Sequence, residues 1–265
     1  MSRFPVLMYH RILSDQCPIP GGDQDEARYA VSLDQFEWQM DRIATSGRRG
    51  VSMKMIFDVI SAAGSVPNDW VGITFDDGNT SDFVHALPIL SEHELHATFY
   101  ICGNRVDATG GLDRDMLGKM SAAGMHIGSH AMTHRFLTSM SGDEEVEELR
   151  KSRELLESIV DQRVDHFAPP GGRHNERTLS VLRELGYVAV GNSEFGYNDC
   201  AGTRVSFRRV PVVAATSPAT FDGLIDASIM KTLPLFVRHA ILRTARSVLG
   251  ESGYHRLRSL GSGSD

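Results

Sequence analysis

The sequence predicts an α/β fold built on a parallel sheet. Short apolar runs alternate with longer helix-like segments, the order expected of strands joined by crossover helices. Adjacent carboxylates stand where one of those runs ends, the position at which parallel α/β sheets gather functional groups. The 265 residues suit one large domain, since single α/β barrels commonly run to about 200–250 residues. Strands flanked by helices at this repeat length leave two architectures open, a closed barrel or an open doubly wound sheet.

The strands are expected, in order, at "FPVLMYH" (4–10), "WVGITFDD" (70–77), "HATFYIC" (96–102), "GMHIGSH" (124–130), "HFAPP" (166–170) and "YVAVG" (187–191). Helices are expected over 32–47, opened by a Ser32 cap, and over 114–124, 141–160 and 175–186. Each follows a Ser or Asn cap or ends near glycine. The segment 141–160 has the clearest helical period, with Val146, Leu149, Leu155, Leu156 and Ile159 near one face and acids in its first turns, where the helix dipole favours them. Pro18, Pro20, Gly21 and Gly22 break both periods over 14–28, which reads as a loop.

Composition excludes several classes. Apolar residues make up 41% and charged ones 23%, the values of a globular chain and not of a disordered or fibrous one. Cys17, Cys102 and Cys200 are odd in number, far apart and not in a CxxC pair, so neither a disulfide framework nor a cysteine zinc site is expected. No window carries the ~18 uncharged apolar residues of a membrane span, and the opening "MSRFPVLMYHRIL" lacks a secretory h-region. A cytoplasmic location is therefore expected. A net charge of −7 argues against nucleic-acid binding, since no positive field attracts phosphates. Between Lys231 and Leu260, however, six basic residues stand against one acid, about +5, which leaves about −12 elsewhere. This divides the chain into a main domain, 1–230, and a basic tail, 231–265. In the tail Val237, Ile241, Ala245 and Val248 share a helical face beside Arg238, His239, Arg243 and Arg246. Such a helix either touches an anionic membrane peripherally or packs on the acidic body.

Asp76 and Asp77, at the end of "VGITF", sit where chemistry is expected, although an isolated DDG is equally a capped turn. His130 and His134 in "GMHIGSHAMTH" are four apart, so one helical turn would bring both to a common metal. With a strand-end Asp they supply two imidazoles and a carboxylate and leave an open position, the ligand set of a catalytic divalent site. If Asp77 binds the metal its charge is neutralised, and Asp76 stays ionised as a general base. His85, His93, His96, His126 and His166 share no spacing with this cluster and read as structural.

"TFDDG" (74–78) and "SHAMTH" (129–134) resemble the first two motifs of the NodB-type polysaccharide deacetylases, carbohydrate esterase family four, and the likeness extends over about residues 4–212. The resemblance implies a distorted (β/α)7 barrel, a divalent metal (zinc first, cobalt or nickel as alternatives) and removal of N-acetyl groups from hexosamine glycans. It implies Asp76 as base and Asp77, His130 and His134 as metal ligands. "VLMYHRI" is similar to the N-terminal LxYHxI segment of one branch of the family, which implies His10 as the acid that protonates the leaving amine; as the end of the first apolar strand, His10 is also expected at the same mouth as Asp76. The third family motif departs: "FAPPGGRHN" has Ala168 where an arginine is usual and Gly171 where an aromatic is frequent. Gly171 would then act through its backbone N–H as an oxyanion donor, with Pro170, Arg173 and His174 lining the substrate. Arg208 and Arg209 in "SFRRVPV" are left between substrate contact and a structural ion pair.

The expected function is metal-dependent deacetylation of an N-acetylhexosamine in a surface polysaccharide, O-chain or its precursor. The competing reading is a glycan-binding protein that keeps the fold without turnover, on the ground of the missing arginine.

Overall fold

The structure is a computed structural model that describes residues 2–19, 27–201, 205–241 and 244. Nine strands form the main sheet: β1 (Val6–Tyr9), β2 (Arg49–Val51), β3 (Trp70–Asp77), β4 (Thr98–Ile101), β5 (His126–Ser129), β6 (His166–Phe167), β7 (Ala189–Gly191), β8 (Ser206–Phe207) and β9 (Val210–Pro211). Their order is β8-β7-β6-β5-β4-β3-β1-β9, with β2 also on β3, and every pairing is parallel. β8 and β9 are two ends of one segment, 206–211. Ser206 and Phe207 pair with β7, and Val210 and Pro211 with β1. That segment closes the curled sheet, so with 206–211 counted once, seven strand positions run round a distorted barrel and β2 is an addition.

β3 is the axis of the arrangement. Residues 70–72 pair with β2, residues 74–77 with β4, and 72–75 with β1 on the other side. Its strand period sorts the side chains. Ile73 and Phe75 join the layer beneath the helices with Phe36, Met40, Leu90, Phe99 and Leu117, while Gly72, Thr74 and Asp76 face the interior. The interior is filled by Phe4, Val6, Trp70, Tyr100, Ala168, Ala189 and Phe207.

The helices are α1 (Leu33–Thr45), α2 (Met53–Ala63), α3 (Leu87–Glu92), α4 (Arg114–Ala122), α5 (Gly142–Glu157), α6 (Glu176–Glu184), α7 (Pro218–Ile225) and α8 (229–241). Ser32, Asp113, Ser141 and Asn175 cap α1, α4, α5 and α6 by accepting from backbone N–H groups, each worth about 1 kcal/mol. The expected helices are thus present. α2, opened by Ser52 and ended by Gly64 at φ +70°, was not anticipated. In α5 Leu149 and Leu156 are buried, and Val146 and the following Ile159 pack against the core, as expected; Glu145, Glu148 and Ser152 are buried with them, Glu145 accepting from Arg177 and Thr178 of α6 and Glu148 from the loop at 132–133. α8 begins before residue 231, and its Thr232 is buried against Tyr197 while Leu235 and Phe236 pack on the main core. The tail beyond 244 and loop residues 20–26 lie outside the described residues.

Candidate active site

The groups singled out in the sequence converge at the C-terminal ends of β1, β3, β5 and β6. Asp77 is the last residue of β3 and has φ +84°. This left-handed turn swings its carboxylate away from the direction of Asp76. Its Oδ1 lies 3.5 Å from Nε2 of His130 and 3.3 Å from Nε2 of His134. One donor atom from each of the three side chains lies within 4.8 Å of the others.

His130 and His134 meet at Asp77 by a route other than the expected helical turn. Residues 130–134 form a loop in which Ala131 (φ +64°) and His134 (φ +59°) are left-handed. Such a conformation is uncommon outside glycine and persists where neighbours hold it. Here α5 holds it. Glu148 accepts from Met132 N (3.0 Å), Thr133 N (2.5 Å) and Thr133 Oγ1 (2.7 Å), and Ser152 donates to the Ala131 carbonyl at 3.1 Å. The buried glutamate thus closes the ligand loop.

His130 is buried, and its Nδ1 lies 2.7 Å from the Ala168 carbonyl. A carbonyl only accepts, so Nδ1 carries the proton and Nε2 keeps its lone pair toward Asp77. Burial holds the ring below the ordinary histidine range, which favours this neutral form. The hydrogen bond with Asp77 raises His134. For Asp77, burial acts upward, but His134, His10 and His130 outweigh it and hold the carboxyl far below the usual range. These residues fit a divalent ion: an ionised carboxylate, two imidazole nitrogens and an outer partner on His130.

Asp76 is held differently. It is buried, and both its oxygens accept from Arg209, Oδ1 from Nη1 at 2.6 Å and Oδ2 from Nη2 at 2.8 Å. Arg209 is fully buried; its Nε donates to the Asn192 carbonyl at 3.0 Å, and its guanidinium lies 5.3 Å from the Tyr100 ring centroid. A Cβ on Gly191 would come within 3.2 Å of Arg209 Cδ, so a glycine there gives the side chain its passage. Burial pushes Asp76 up, but Arg209, His130 and His10 more than reverse this and keep it ionised. Arg209 therefore supplies, from the closing segment, the positive partner that Ala168 cannot. Arg208 faces outward to Glu194 at 3.5 Å. The open choice for Arg209 resolves as an ion pair on Asp76. The signal was the strand period, which puts Arg209 on the face of Phe207.

His10 follows β1 beside Asp76, in register with the paired Tyr9 and Phe75. Asn79 fixes its backbone through Nδ2 to the His10 carbonyl (2.9 Å), while Arg11 and Arg105 both donate to Asn79 Oδ1 at 2.6 Å. The His10 ring packs on Tyr29 with centroids 4.8 Å apart, and its charge acts on both Asp76 and Asp77. Asn79 is a positioning residue that the motif reading passed over.

Pro170, Gly171 and Gly172 form a turn after β6. Gly171 has φ +60°, and a Cβ there would meet Phe136 Cε1 at 2.7 Å. The guanidinium of Arg173 stacks on the other partner of this corner, the Phe136 ring, at 3.8 Å, and His174 Nδ1 lies 3.1 Å from the Gly172 carbonyl. Arg173 and His174 thus have contacts within the rim.

Residues 63–190 match the family model for polysaccharide deacetylase. YxkH of Bacillus subtilis is 25% identical over 226 residues, 85% of this chain and 77% of that protein. A peptidoglycan-N-acetylglucosamine deacetylase of Bacillus cereus is 30% identical over 128 residues, 47% of this chain and 58% of that protein. The chain thus spans a little over half the length of that relative. Among solved structures, the deacetylase PplD of Streptococcus pyogenes superposes with a TM-score of 0.75 at 24% identity, covering 84% of this chain and 98% of that one. BC0361, a polysaccharide deacetylase from Bacillus cereus, gives 0.72 at 25% identity over 84% and 69%. The motifs, the barrel and these matches agree: residues 63–190 match the polysaccharide deacetylase model, and the fold around them is that of solved deacetylases.

Proposed function

We propose that the chain hydrolyses the acetamide of N-acetylhexosamine residues in a surface polysaccharide, an O-chain or its precursor, with a divalent ion on Asp77, His130 and His134. Zinc is first for a ligand set of two imidazoles and one carboxylate, and cobalt or nickel fit the same donors. When bound, such an ion supplies Lewis acidity to the acetyl carbonyl and lowers the pKa of water beside it. The chain's own groups then divide the proton transfers. Asp76, ionised and aimed by Arg209, takes the proton of the attacking water on a carboxylate oxygen. His10 delivers a proton to the departing nitrogen, and Gly171 N–H donates to the oxyanion. The products are acetate and a free amino sugar.

The observation that carries this reading is the separation of two adjacent carboxylates into different environments, Asp76 clamped by Arg209 and Asp77 between two Nε2 atoms. Arg209 also speaks against a binding-only protein, since it gives Asp76 a positive partner that Ala168 does not. The peptidoglycan-N-acetylglucosamine deacetylase relative supports an N-acetylhexosamine substrate class. The test is acetate release from N-acetylated oligosaccharides together with metal content. Asp77→Asn should lose metal and activity, whereas Asp76→Asn should keep metal and lose acetate release. Equal metal loss in both would overturn the assignment.

For location we propose the cytoplasm, with peripheral contact to an anionic membrane through the C-terminal segment. The three cysteines are free thiols, consistent with a reducing compartment. Among the described residues no helix is long and apolar enough to cross a membrane. On α8 the face that would cover an acidic body is not the apolar stripe: Met230 (88% exposed), Leu233 (52%), Val237 (50%) and Ile241 (60%) point to solvent beside Arg238. An outward apolar stripe in a basic segment suits an anionic lipid surface.

A further inference from the structure

On β4, Tyr100 stands opposite Asp76 of β3 on one side and opposite Gly128 of β5 on the other. Its side chain is fully buried and belongs to the barrel interior with Phe4, Val6 and Phe207. The strand period puts it there, since its neighbours Phe99 and Ile101 join the layer beneath the helices. The proton transfers assigned to Asp76 and His10 give Tyr100 no task, and its hydroxyl has no hydrogen-bond partner among the described residues.

The surroundings are shaped to the ring. A Cβ on Gly128 would meet Tyr100 Cδ1 at 2.6 Å and Cε1 at 2.8 Å, and one on Gly191 would meet the Tyr100 hydroxyl at 3.1 Å and Arg209 Cδ at 3.2 Å. Two glycines, on β5 and β7, therefore leave the space that ring and arginine share. The Arg209 guanidinium lies over the ring, 5.3 Å from its centroid. That is inside the roughly 6 Å over which a cation is drawn to the negative face of an aromatic ring, and the attraction is greatest where water is excluded. Both groups are fully buried.

The hydrogen bonds of Arg209 act in another direction. A guanidinium is planar and donates along its edge. Asn192, which accepts from Nε, and Asp76, which accepts from Nη1 and Nη2, thus fix the group within its plane. A tilt out of that plane would lengthen both bonds to Asp76 together, and the ring lies where it supports the face against such a tilt.

We propose that Tyr100 is a positioning residue for the base: its ring supports the face of the Arg209 guanidinium, and Arg209 in turn aims the Asp76 carboxylate. The ring acts, not the hydroxyl. This rests on the reading of Asp76 as the base.

The test places at position 100, in the full zinc-loaded chain, phenylalanine and then phenylalanines of increasing ring fluorination. Fluorine draws charge from the ring face with little change of shape, so mere filling of the interior gives no trend. Along the series kcat should fall stepwise, by about tenfold in all, with KM and zinc content unchanged. Tyr100→Leu should fall at least as far, and Tyr100→Phe should recover most of that loss; where Tyr100→Leu does not fold, the fluorinated series decides. A second measurement needs no turnover. In nitrogen NMR the separate Nη signals of Arg209, assigned by their loss in Arg209→Met, should merge along the series as the guanidinium turns faster. A level kcat would overturn the role in aiming Asp76, and level Nη signals would overturn the hold on Arg209. If the wild type releases no acetate, the deacetylase reading falls on its own, and the Nη signals still decide whether the ring holds the arginine.

Discussion

Removing the guanidinium of Arg209 isolates what the clamp does for the base. In Arg209→Met the Asp76 carboxylate stays buried but has no partner on either oxygen. Breaking a buried pair from one side costs roughly 3–5 kcal/mol, and a chain of this size loses about 2–4 °C of Tm per kcal/mol. The fall in Tm at pH 7 should therefore be roughly 6–20 °C. The pH dependence has a definite sign. In the wild type, Asp76 lies below its ordinary value, so its contribution is present above the unfolded pKa of about 3.9 and is lost as pH falls through the lower folded value. In Arg209→Met the upward push of burial dominates and the folded value rises. The group then disfavours folding as pH rises through 3.9, so the gap in Tm between wild type and variant should narrow as pH falls below about 4. Activity should drop by about 10²–10⁴, the usual worth of a general base, with metal content unchanged and the acidic limb of kcat/KM moved upward. Arg209→Lys should recover little, since one ammonium cannot hold both oxygens at 2.6 and 2.8 Å. The assays are acetate release against pH, melting across the same range and metal analysis. A folded Arg209→Met protein with the wild-type pH profile and kcat would refute the clamp and leave Arg209 as barrel filling.

Glu148→Gln keeps the size of the side chain that closes the 131–134 loop but weakens its grip on two N–H groups and a hydroxyl; metal affinity should fall about 10–100-fold, read by competition with a chelator. Gly171→Ala meets Phe136 at 2.7 Å from a left-handed backbone, so it should lose about 1–3 kcal/mol of stability; adding Phe136→Ala should recover the steric part but not the backbone part, seen as partial rescue of Tm. Val237→Glu/Ile241→Glu places acids on the outward stripe of α8; flotation with vesicles of anionic lipid should drop at least tenfold while Tm stays within about 2 °C, as for surface changes. Unchanged flotation would remove the membrane contact.

What was legible followed from local pattern. β3 was read at its true bounds because residues 70–76 are all buried, which makes a continuous apolar run on a centrally paired strand. The caps Ser32 and Asn175 were legible for the same reason: a cap acts within three residues. Asp77, His130 and His134 do stand together, yet the local structure of the histidines was misread, because the HxxxH spacing is compatible with a helix while the fold uses two left-handed residues held by Glu148. That restraint comes from 15–16 residues away. Helix α2 was missed although Ser52 and Gly64 flank it, because "MIFDVIS" is equally a β-rich apolar run. Arg209 was the furthest from reach. It acts on Asp76 across 133 residues of sequence, and only closure of the barrel brings the two together.

That last distance has a mechanical consequence. The clamp sits in the middle of segment 206–211, which is paired through two residues with β7 and two with β1. Such short pairing is weak alone, since strands of two residues contribute few ladder bonds. Arg209 adds to the closure by joining Asn192, after β7, to Asp76, at the end of β3. At position 209 the partner of Asp76 is held in place only while the barrel is shut. Meanwhile Ala168 serves through its carbonyl alone, orienting His130 at 2.7 Å. If closure and base are one unit, Phe207→Ala, which empties the interior beside β8, should lower kcat and raise the acidic limb in the same direction as Arg209→Met, though by less. A Phe207→Ala protein that loses several degrees of Tm with an unshifted pH profile would separate the two, and the clamp would then be independent of the seam in which it lies.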